Sequence, residues 1–368
     1  MFPTTQSSSK LNGILFIVLI GGMFIYSIPS IFKFSETETD NWSLFMDGKL
    51  LRKYETFYDK QFFAREPSVK FWADIRYLAF NEGTSGVILG KDAWLFSNQE
   101  YLVVNDLSAQ LNKQYHQIKE IDEQLKRRGQ KLIILPIPMK VDIEHSHISR
   151  EPEPVVINLY DSFIKQLNDA DIASVDIRPS FQQQVTNHSV FIRNDTHWSP
   201  EGASLAAKQV ALQYPELKQD TLFITNKVSE KQHKGDLMNY MQFHLSIARQ
   251  NYQPVNLPIF ETTQANQEIS DSALFGDQQY PIALVGTSYS KMDDWNFVGF
   301  LKQELQTDIL THALEANGPF EAMAEFLKQP DFNDPTIHAV IWEFPVRTLL
   351  VQSFRNNKKG TENQVKHF

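Results

Sequence analysis

The chain contains no cysteine. Disulfides, thiolate metal centres and a cysteine nucleophile are therefore excluded, while the compartment stays open because exported and cytosolic proteins both manage without thiols. Positive charge is scarce too: 35 Lys and Arg stand against 44 Asp and Glu, a net charge of -9. The basic clusters, Lys126 to Arg128 and Lys358 with Lys359, are short. Without a basic face there is no electrostatic footprint for nucleic acid, so that class of partner is set aside. Internal repeats and low-complexity tracts are missing as well.

What is present supports a folded body. The chain has 368 residues, 42% of them hydrophobic, enough to build one large or two modest domains around a core. Gly13 to Phe32, "GILFIVLIGGMFIYSIPSIF", carries no charge. A bilayer-crossing helix needs about 20 such residues, so 13–32 reads as a transmembrane signal anchor, with 1–12 as a cytoplasmic N-terminus. Only Lys10 and the amino terminus precede the run, and Lys33 with the acidic "ETETD" follow it, which favours the bulk of the chain outside. A cleaved signal peptide is the alternative, against which stand the length of the run and the lack of an A-x-A site.

From Asp40 to Phe80 aromatic and charged residues mix, with Leu51, Tyr54, Phe57 and Tyr58 at helical spacing. Two helices broken near Pro67 are expected, their aromatics fastening the start of a domain spanning 40–368 to its body. "VILGKDAWLF", Val87 to Phe96, fits a hairpin. Asn105 or Asp106 then caps a helix through Leu107, Leu111, Tyr115, Ile118, Ile121 and Leu125, stopped by Gly129 before the strand "KLIILPIP". A helix around Ile157 to Leu167 leads to "IASVDI", and "YPIALVG", "DILTHAL" and "IHAVIWEF" are further apolar runs. Runs apolar on both faces, alternating with amphipathic helices, predict an α/β fold with a mostly parallel sheet covered on both sides. Sites in such sheets form at strand ends. Gln219 to Gln279, richer in Gln, Asn and Ser, reads as a surface excursion.

Two stretches carry chemistry. "ALVGTSYS", Ala283 to Ser290, puts hydroxyls at the carboxyl end of a buried strand just before a helix. A strand-to-helix turn exposes a side chain and supplies free N–H groups for a developing oxyanion, which makes Ser288 the candidate nucleophile. A serine needs a base, itself oriented by a third group. In "FIRNDTHWSPEG", Phe191 to Gly202, an extended segment would point Asp195 and His197 to one side, with Trp198 packed beside them and Ser199 and Pro200 starting a helix. Taken singly, each stretch also reads as an ordinary cap or turn; together, at strand ends of one sheet, they favour a triad.

The order of these pieces resembles the AlgJ/AlgX family of exopolysaccharide O-acetyltransferases, which carry an SGNH-hydrolase-like domain. "DTHW" at Asp195 precedes "GTSYS" at Gly286, the reverse of ordinary SGNH enzymes, and Thr287 stands where the ordinary motif has Asp. The likeness extends through "GKDAWLF", "LPIPMK", "GDL" (Gly235 to Leu237) and "IWEFPVR" (Ile341 to Arg347). It implies a three-layer α/β/α domain and ping-pong chemistry. Ser288 would be acetylated, His197 would act as base, Asp195 would orient it, and no cofactor would be needed. It also implies a periplasmic domain on an inner-membrane anchor, a polysaccharide substrate such as alginate or cellulose, a multispanning membrane protein as acetyl donor, and other polysaccharide-export proteins as partners. The end of the chain soon after Arg347 leaves no room for the carbohydrate-binding module of AlgX, which points toward the AlgJ type.

Further expectations are weaker in chemistry. The Ser288 N–H is an oxyanion donor, with Asn317 and Gly318 as additional ones, although an Asn-Gly pair also reads as a simple turn. Trp198, Tyr289 and Arg347 are candidate sugar contacts, although Glu343 and Arg347 read first as a structural ion pair. "EHSH", Glu144 to His147, reads as a solvated loop and no metal is invoked, since no third ligand accompanies it. An esterase with the same triad and a non-catalytic scaffold of an export complex remain open alternatives.

Overall fold

Five of the expected apolar runs pair into one sheet. The computed structural model describes residues 6–186, 188–243, 250–265, 280–315 and 318–351. Contacts divide the chain into two compact units, 1–74 and 75–368. Residues 40–74 fall in the first of these units, with the apolar helix.

In the first unit, α1 (Gln6–Thr37) contains a stretch, Lys10–Thr37, long and apolar enough to cross a membrane. Three helices follow where two are expected: α2 (Asn41–Met46), α3 (Leu50–Gln61) and α4 (Arg65–Phe80), the last running through the boundary. Pro67 does not break a helix. It sits in the first turn of α4, where an absent N–H costs nothing, and the break falls before Arg65. Of the aromatics expected to fasten a domain to its body, Tyr54 and Phe57 pack edge-on against Phe34 of α1 and Tyr58 against Tyr26, while Tyr77 meets Phe243 and Tyr252.

The second unit opens with the expected hairpin, β1 (Val87–Leu89) and β2 (Leu95–Ser97). Then come α5 (Leu107–Lys126), β3 (Lys131–Ile137), α6 (Lys140–Ile143), α7 (Pro154–Ile157), α8 (Leu159–Asp169), β4 (Ala173–Ser174), α9 (Arg178–Gln184) and α10 (Pro200–Gln213). An antiparallel ribbon follows, β5 (Phe223–His233) with β6 (Val255–Gln264). The chain continues through β7 (Ile282–Gly286), α11 (Ser288–Lys291), α12 (Phe297–Leu305), β8 (Ile309–Ala313), α13 (Phe320–Phe326) and β9 (Ala339–Pro345).

The sheet order is β4-β3-β9-β7-β8, and every pairing is parallel. All seven residues of β9 and all five of β7 are buried, as strands covered on both faces must be. "IASVDI" contributes only Ala173 and Ser174 to the sheet, because the edge needs no longer partner for β3. The ribbon of β5 and β6 is mostly solvated, in agreement with a surface excursion, except that it ends on the buried His233.

The start of α10 is held by close packing. Ser199 Oγ accepts from the Gly202 N–H at 3.2 Å, and a Cβ on Gly202 would lie 2.2 Å from the Val190 carbonyl oxygen. That carbonyl already accepts from the Ser199 N–H, so it is not free to move. Gly202→Ala gains about 1 kcal/mol of helix propensity but forces this contact apart, and overpacking of this kind costs about 1–3 kcal/mol. Thermal unfolding of the variant is expected to shift several degrees downward; an upward shift would contradict the contact.

Candidate active site

The segment around Asp195 is a tight loop and not the extended stretch expected from its sequence. Phe191 and Trp198 bridge antiparallel, and the Ile192 and Asp195 N–H groups donate to the His197 and Ile192 carbonyls. The turn places both side chains on the same carboxylate-imidazole contact by curling the backbone. Asp195 Oδ1 accepts from the His197 N–H at 2.9 Å and from His197 Nδ1 at 2.6 Å. A carboxylate only accepts, so the Nδ1 proton is fixed there and Nε2 is left with a lone pair. His197 Nε2 lies 2.7 Å from Ser288 Oγ, which donates to it.

The second oxygen of Asp195 is equally occupied. Oδ2 accepts from His233 Nε2 at 2.7 Å and from the Asp236 N–H at 2.8 Å. Burial of Asp195 by itself would raise its pKa, but the hydrogen bonds from His197 and His233 outweigh that and hold it well below the usual carboxylate range. The bond to Asp195 raises the pKa of His233, whose other nitrogen lies 3.6 Å from Asp294. Gly235 makes the approach possible. Its φ of +82° is left-handed, and a Cβ would stand 2.2 Å from the Asn194 carbonyl oxygen.

A buried lysine fixes the loop from below. Lys140, at the start of α6 beyond β3, sets its Nζ 2.7–3.0 Å from the carbonyls of Leu95, Ile192, Arg193 and Asp195, four acceptors that share its three N–H groups. Burial draws its pKa down to about 8 against the pull of Glu100 and Asp195. Glu144 does not belong to a solvated loop. It is buried, and its Oε1 accepts from the Val190 and Phe191 N–H groups at 3.0 and 3.2 Å. His147 stacks on Trp94 at 4.6 Å, and His145 and Ser146 are exposed.

Ser288 begins α11 directly beyond β7, half-buried, with Thr287 as its cap. Glu343 of the adjacent β9 accepts from the Thr287 N–H and Oγ1, both at 2.8 Å, and from Ser290 Oγ at 2.7 Å. The ion pair expected between Glu343 and Arg347 is thus replaced. Glu343 holds the serine turn, and Arg347 donates to the Tyr289 hydroxyl at 2.7 Å. Tyr289 and Trp198 are fully buried and pack edge to face at 5.2 Å, and Arg347 is buried beside Tyr289. These three residues support the site from within; their burial keeps them off a sugar in solvent. Trp295 stacks on the His197 ring at 4.5 Å and donates from Nε1 to the Tyr289 carbonyl.

Asn317 lies outside the described residues. Gly318 takes a φ of +85° in the turn before α13, as the turn reading has it. Asp195, His197 and Asp236 bring possible ligand atoms within 4.8 Å of one another. The four donors on Asp195 already occupy both of its oxygens, which is hydrogen bonding to a carboxylate. His233, Asp236, Lys140, Glu144 and Trp295 escape the sequence reading of the site. The available signals are "LPIPMK", which ends on Lys140, and "GDL", whose Asp236 N–H donates to Asp195 while Gly235 lies against Asn194.

Chemically, the arrangement sets a serine hydroxyl 2.7 Å from one imidazole nitrogen while the other faces a buried carboxylate at 2.6 Å. Glu144 gives the protein a measurable pH dependence. Burial pushes its pKa up to about 7 from 4.5, so the unfolded chain ionises first and stability falls as pH rises through that window. Glu144→Gln keeps the acceptor and removes the titration. Between pH 5 and 8 the variant is expected to gain about 2–3 kcal/mol on the parent in denaturant unfolding; parallel pH curves would contradict this placement of Glu144.

Residues 87–346 match the family model described as "SGNH hydrolase-like domain, acetyltransferase AlgX". Two curated relatives are named probable alginate O-acetylase AlgJ. The one from Pseudomonas fluorescens is 35% identical over 94% of this chain and 87% of its own. That from Pseudomonas aeruginosa is 34% identical over 95% and 92%. The solved O-acetyltransferase domain of Pseudomonas putida AlgJ matches with a TM-score of 0.67 at 30% identity, covering 74% of this chain and 94% of that domain. The chain belongs to the SGNH-hydrolase-like acetyltransferase family that includes AlgX and AlgJ, and it is an acetyltransferase.

Proposed function

We propose that this chain acetylates hydroxyls of an exported polysaccharide, alginate or a related exopolysaccharide such as cellulose, through an acetyl-serine on Ser288. The observation that carries the proposal is the unbroken relay from Asp195 Oδ1 through His197 to Ser288 Oγ, with contacts of 2.6 and 2.7 Å. Relatives named alginate O-acetylase support alginate as the polymer.

In the first half-reaction His197 Nε2 takes the Ser288 proton as Oγ bonds to the acetyl carbonyl carbon of the donor. The oxyanion forms against the Ser288 N–H, and the donor's leaving oxygen departs with the proton from His197. In the second half-reaction His197 takes the proton of a sugar hydroxyl, that oxygen attacks the acetyl carbon, and Ser288 Oγ leaves and is reprotonated. Asp195 stabilises the imidazolium in both halves.

Placement follows from α1. In this reading it is an uncleaved inner-membrane anchor, 1–12 are cytoplasmic, and the α/β unit stands in the periplasm. Cytosolic acetyl thioesters do not reach that side, so a multispanning membrane protein hands acetyl groups across, and other export proteins present the polymer.

The test incubates the full chain in detergent with an activated acetyl ester and then with alginate or cellulose oligosaccharides, following protein and sugar by mass spectrometry. An acetyl group on Ser288 that moves to sugar faster than to water is expected. Release to water alone, with every oligosaccharide, would favour an esterase, and no adduct at all would favour a scaffold. Ser288→Ala is expected to abolish the adduct. Asp195→Asn is expected to slow its formation by about 10³–10⁴-fold, as loss of the orienting carboxylate does in other serine triads; near-normal rates in that variant would remove Asp195 from the mechanism.

A further inference from the structure

The first unit carries an arrangement that the chemistry at Ser288 does not use. α3 folds back along the C-terminal part of α1 in the opposite direction. Near its start Tyr54 and Phe57 meet Phe34, with ring centroids 5.5 and 5.3 Å apart. At its far end Tyr58, Phe62 and Phe63 surround Tyr26 at 6.4, 5.8 and 5.2 Å. Ser30 Oγ and the Tyr54 hydroxyl lie 3.0 Å apart between the two groups, and Lys53 pairs with Glu38 above them.

Helix geometry turns these contacts into depths. The charge-free stretch of α1 begins after Lys10 and ends before Lys33. About 20 residues at 1.5 Å each fill a hydrocarbon layer of about 30 Å, so a core starting at Gly13 ends near Phe32. Tyr26 then lies about 9 Å inside that boundary and Phe34 about 3 Å outside it. The whole aromatic contact between α1 and α3 straddles the edge of the bilayer, which is where Tyr and Trp rings concentrate in membrane proteins.

The exposed surface at this depth fits the same environment. Phe63, at the membrane-directed end of the hairpin, is 71% exposed although it is a large apolar ring. Beside it a cavity of about 250 Å³ is lined by Tyr26, Pro29, Ser30, Lys33, Tyr58 and Gln61. Rings and a proline below with a lysine above match the change from acyl chain to phosphate across a lipid headgroup layer. Leu51 is exposed to a similar extent, 69%, but it sits near the other end of α3, further from the bilayer than Phe34.

We propose that the hairpin of α1 and α3 is an interfacial foot, with its end at Tyr26, Tyr58, Phe62 and Phe63 lodged where the acyl chains meet the headgroups of the bilayer that α1 crosses. The inference rests on the anchoring proposed for α1 and adds a second membrane contact to it. A single helix leaves the chain free to slide and tilt, whereas an aromatic foot fixes the depth of α1 and the level at which the chain leaves the bilayer.

The absence of cysteine makes the test clean, because any thiol introduced is the only one. Ile20→Cys, Phe63→Cys and Leu51→Cys versions of the full chain are reconstituted in phosphatidylcholine vesicles and labelled with a membrane-impermeant maleimide. Each is measured again after unfolding in detergent and denaturant to normalise for thiol content. The expected pattern is Ile20→Cys unreactive, Leu51→Cys reactive, and Phe63→Cys about tenfold or more slower than Leu51→Cys. Gln61→Cys, on the cavity wall, is expected to follow Phe63→Cys, which guards against a disturbance peculiar to one ring. Protection of Ile20→Cys with rapid labelling at both 61 and 63 would overturn the foot and leave the anchor intact. Rapid labelling at all positions would overturn the anchor and the foot together.

Discussion

The Asp195 carboxylate is the group on which the site depends. It is buried, and its charge is sustained by four N–H donors drawn from two separate stretches of chain: two from His197, one from His233 and one from Asp236. Burying a carboxylate without such partners costs several kcal/mol, and the usual escape is protonation, which would release the imidazole. Here the hydrogen bonds reverse the effect of burial. Loop, ribbon and histidine are thereby tied to one ionised group, and Ser288 receives the Nε2 that this arrangement leaves free.

The rest of the second unit serves to bring those segments to one edge of the sheet. β7 delivers Ser288 and β9 delivers Glu343, which accepts from Thr287 and Ser290 on either side of Ser288. β3 delivers Lys140, whose ammonium gathers carbonyls on both the hairpin side and the Asp195 loop. These are adjacent strands in the order β3-β9-β7, so three parallel strand ends bring Lys140, Glu343 and Ser288 to one edge of the sheet. The aromatic packing of Trp295, Tyr289 and Trp198 then restrains the imidazole ring in place.

Much of this is legible in the sequence for identifiable reasons. Continuous apolar runs report burial on both faces, so the parallel sheet can be read from β3, β7 and β9. Asp195, His197 and Ser288 sit beside strand and helix signals that fix where they end up. The loop geometry at Asp195 is not legible, because Arg193 and Asn194 satisfy a turn as readily as a strand end. His233 is hidden for a different reason: it closes a solvated ribbon, and only the pairing of β5 with β6 carries that end back to the sheet. Lys140 is marked only as the end of "LPIPMK" and Glu144 reads as part of a solvated loop, since nothing local announces that backbone carbonyls and amides await them. The aromatics after residue 40 show a helical period, but a period cannot say which surface covers it.

The claim that Asp195 stays ionised and holds His197 in one tautomer is most directly tested by proton NMR of the imidazole N–H. A strongly downfield resonance from the Nδ1 proton of His197 is expected, retained in Ser288→Ala and lost in Asp195→Ala. A resonance that survives loss of Asp195, or one absent from the parent chain at neutral pH and low temperature, would contradict the relay.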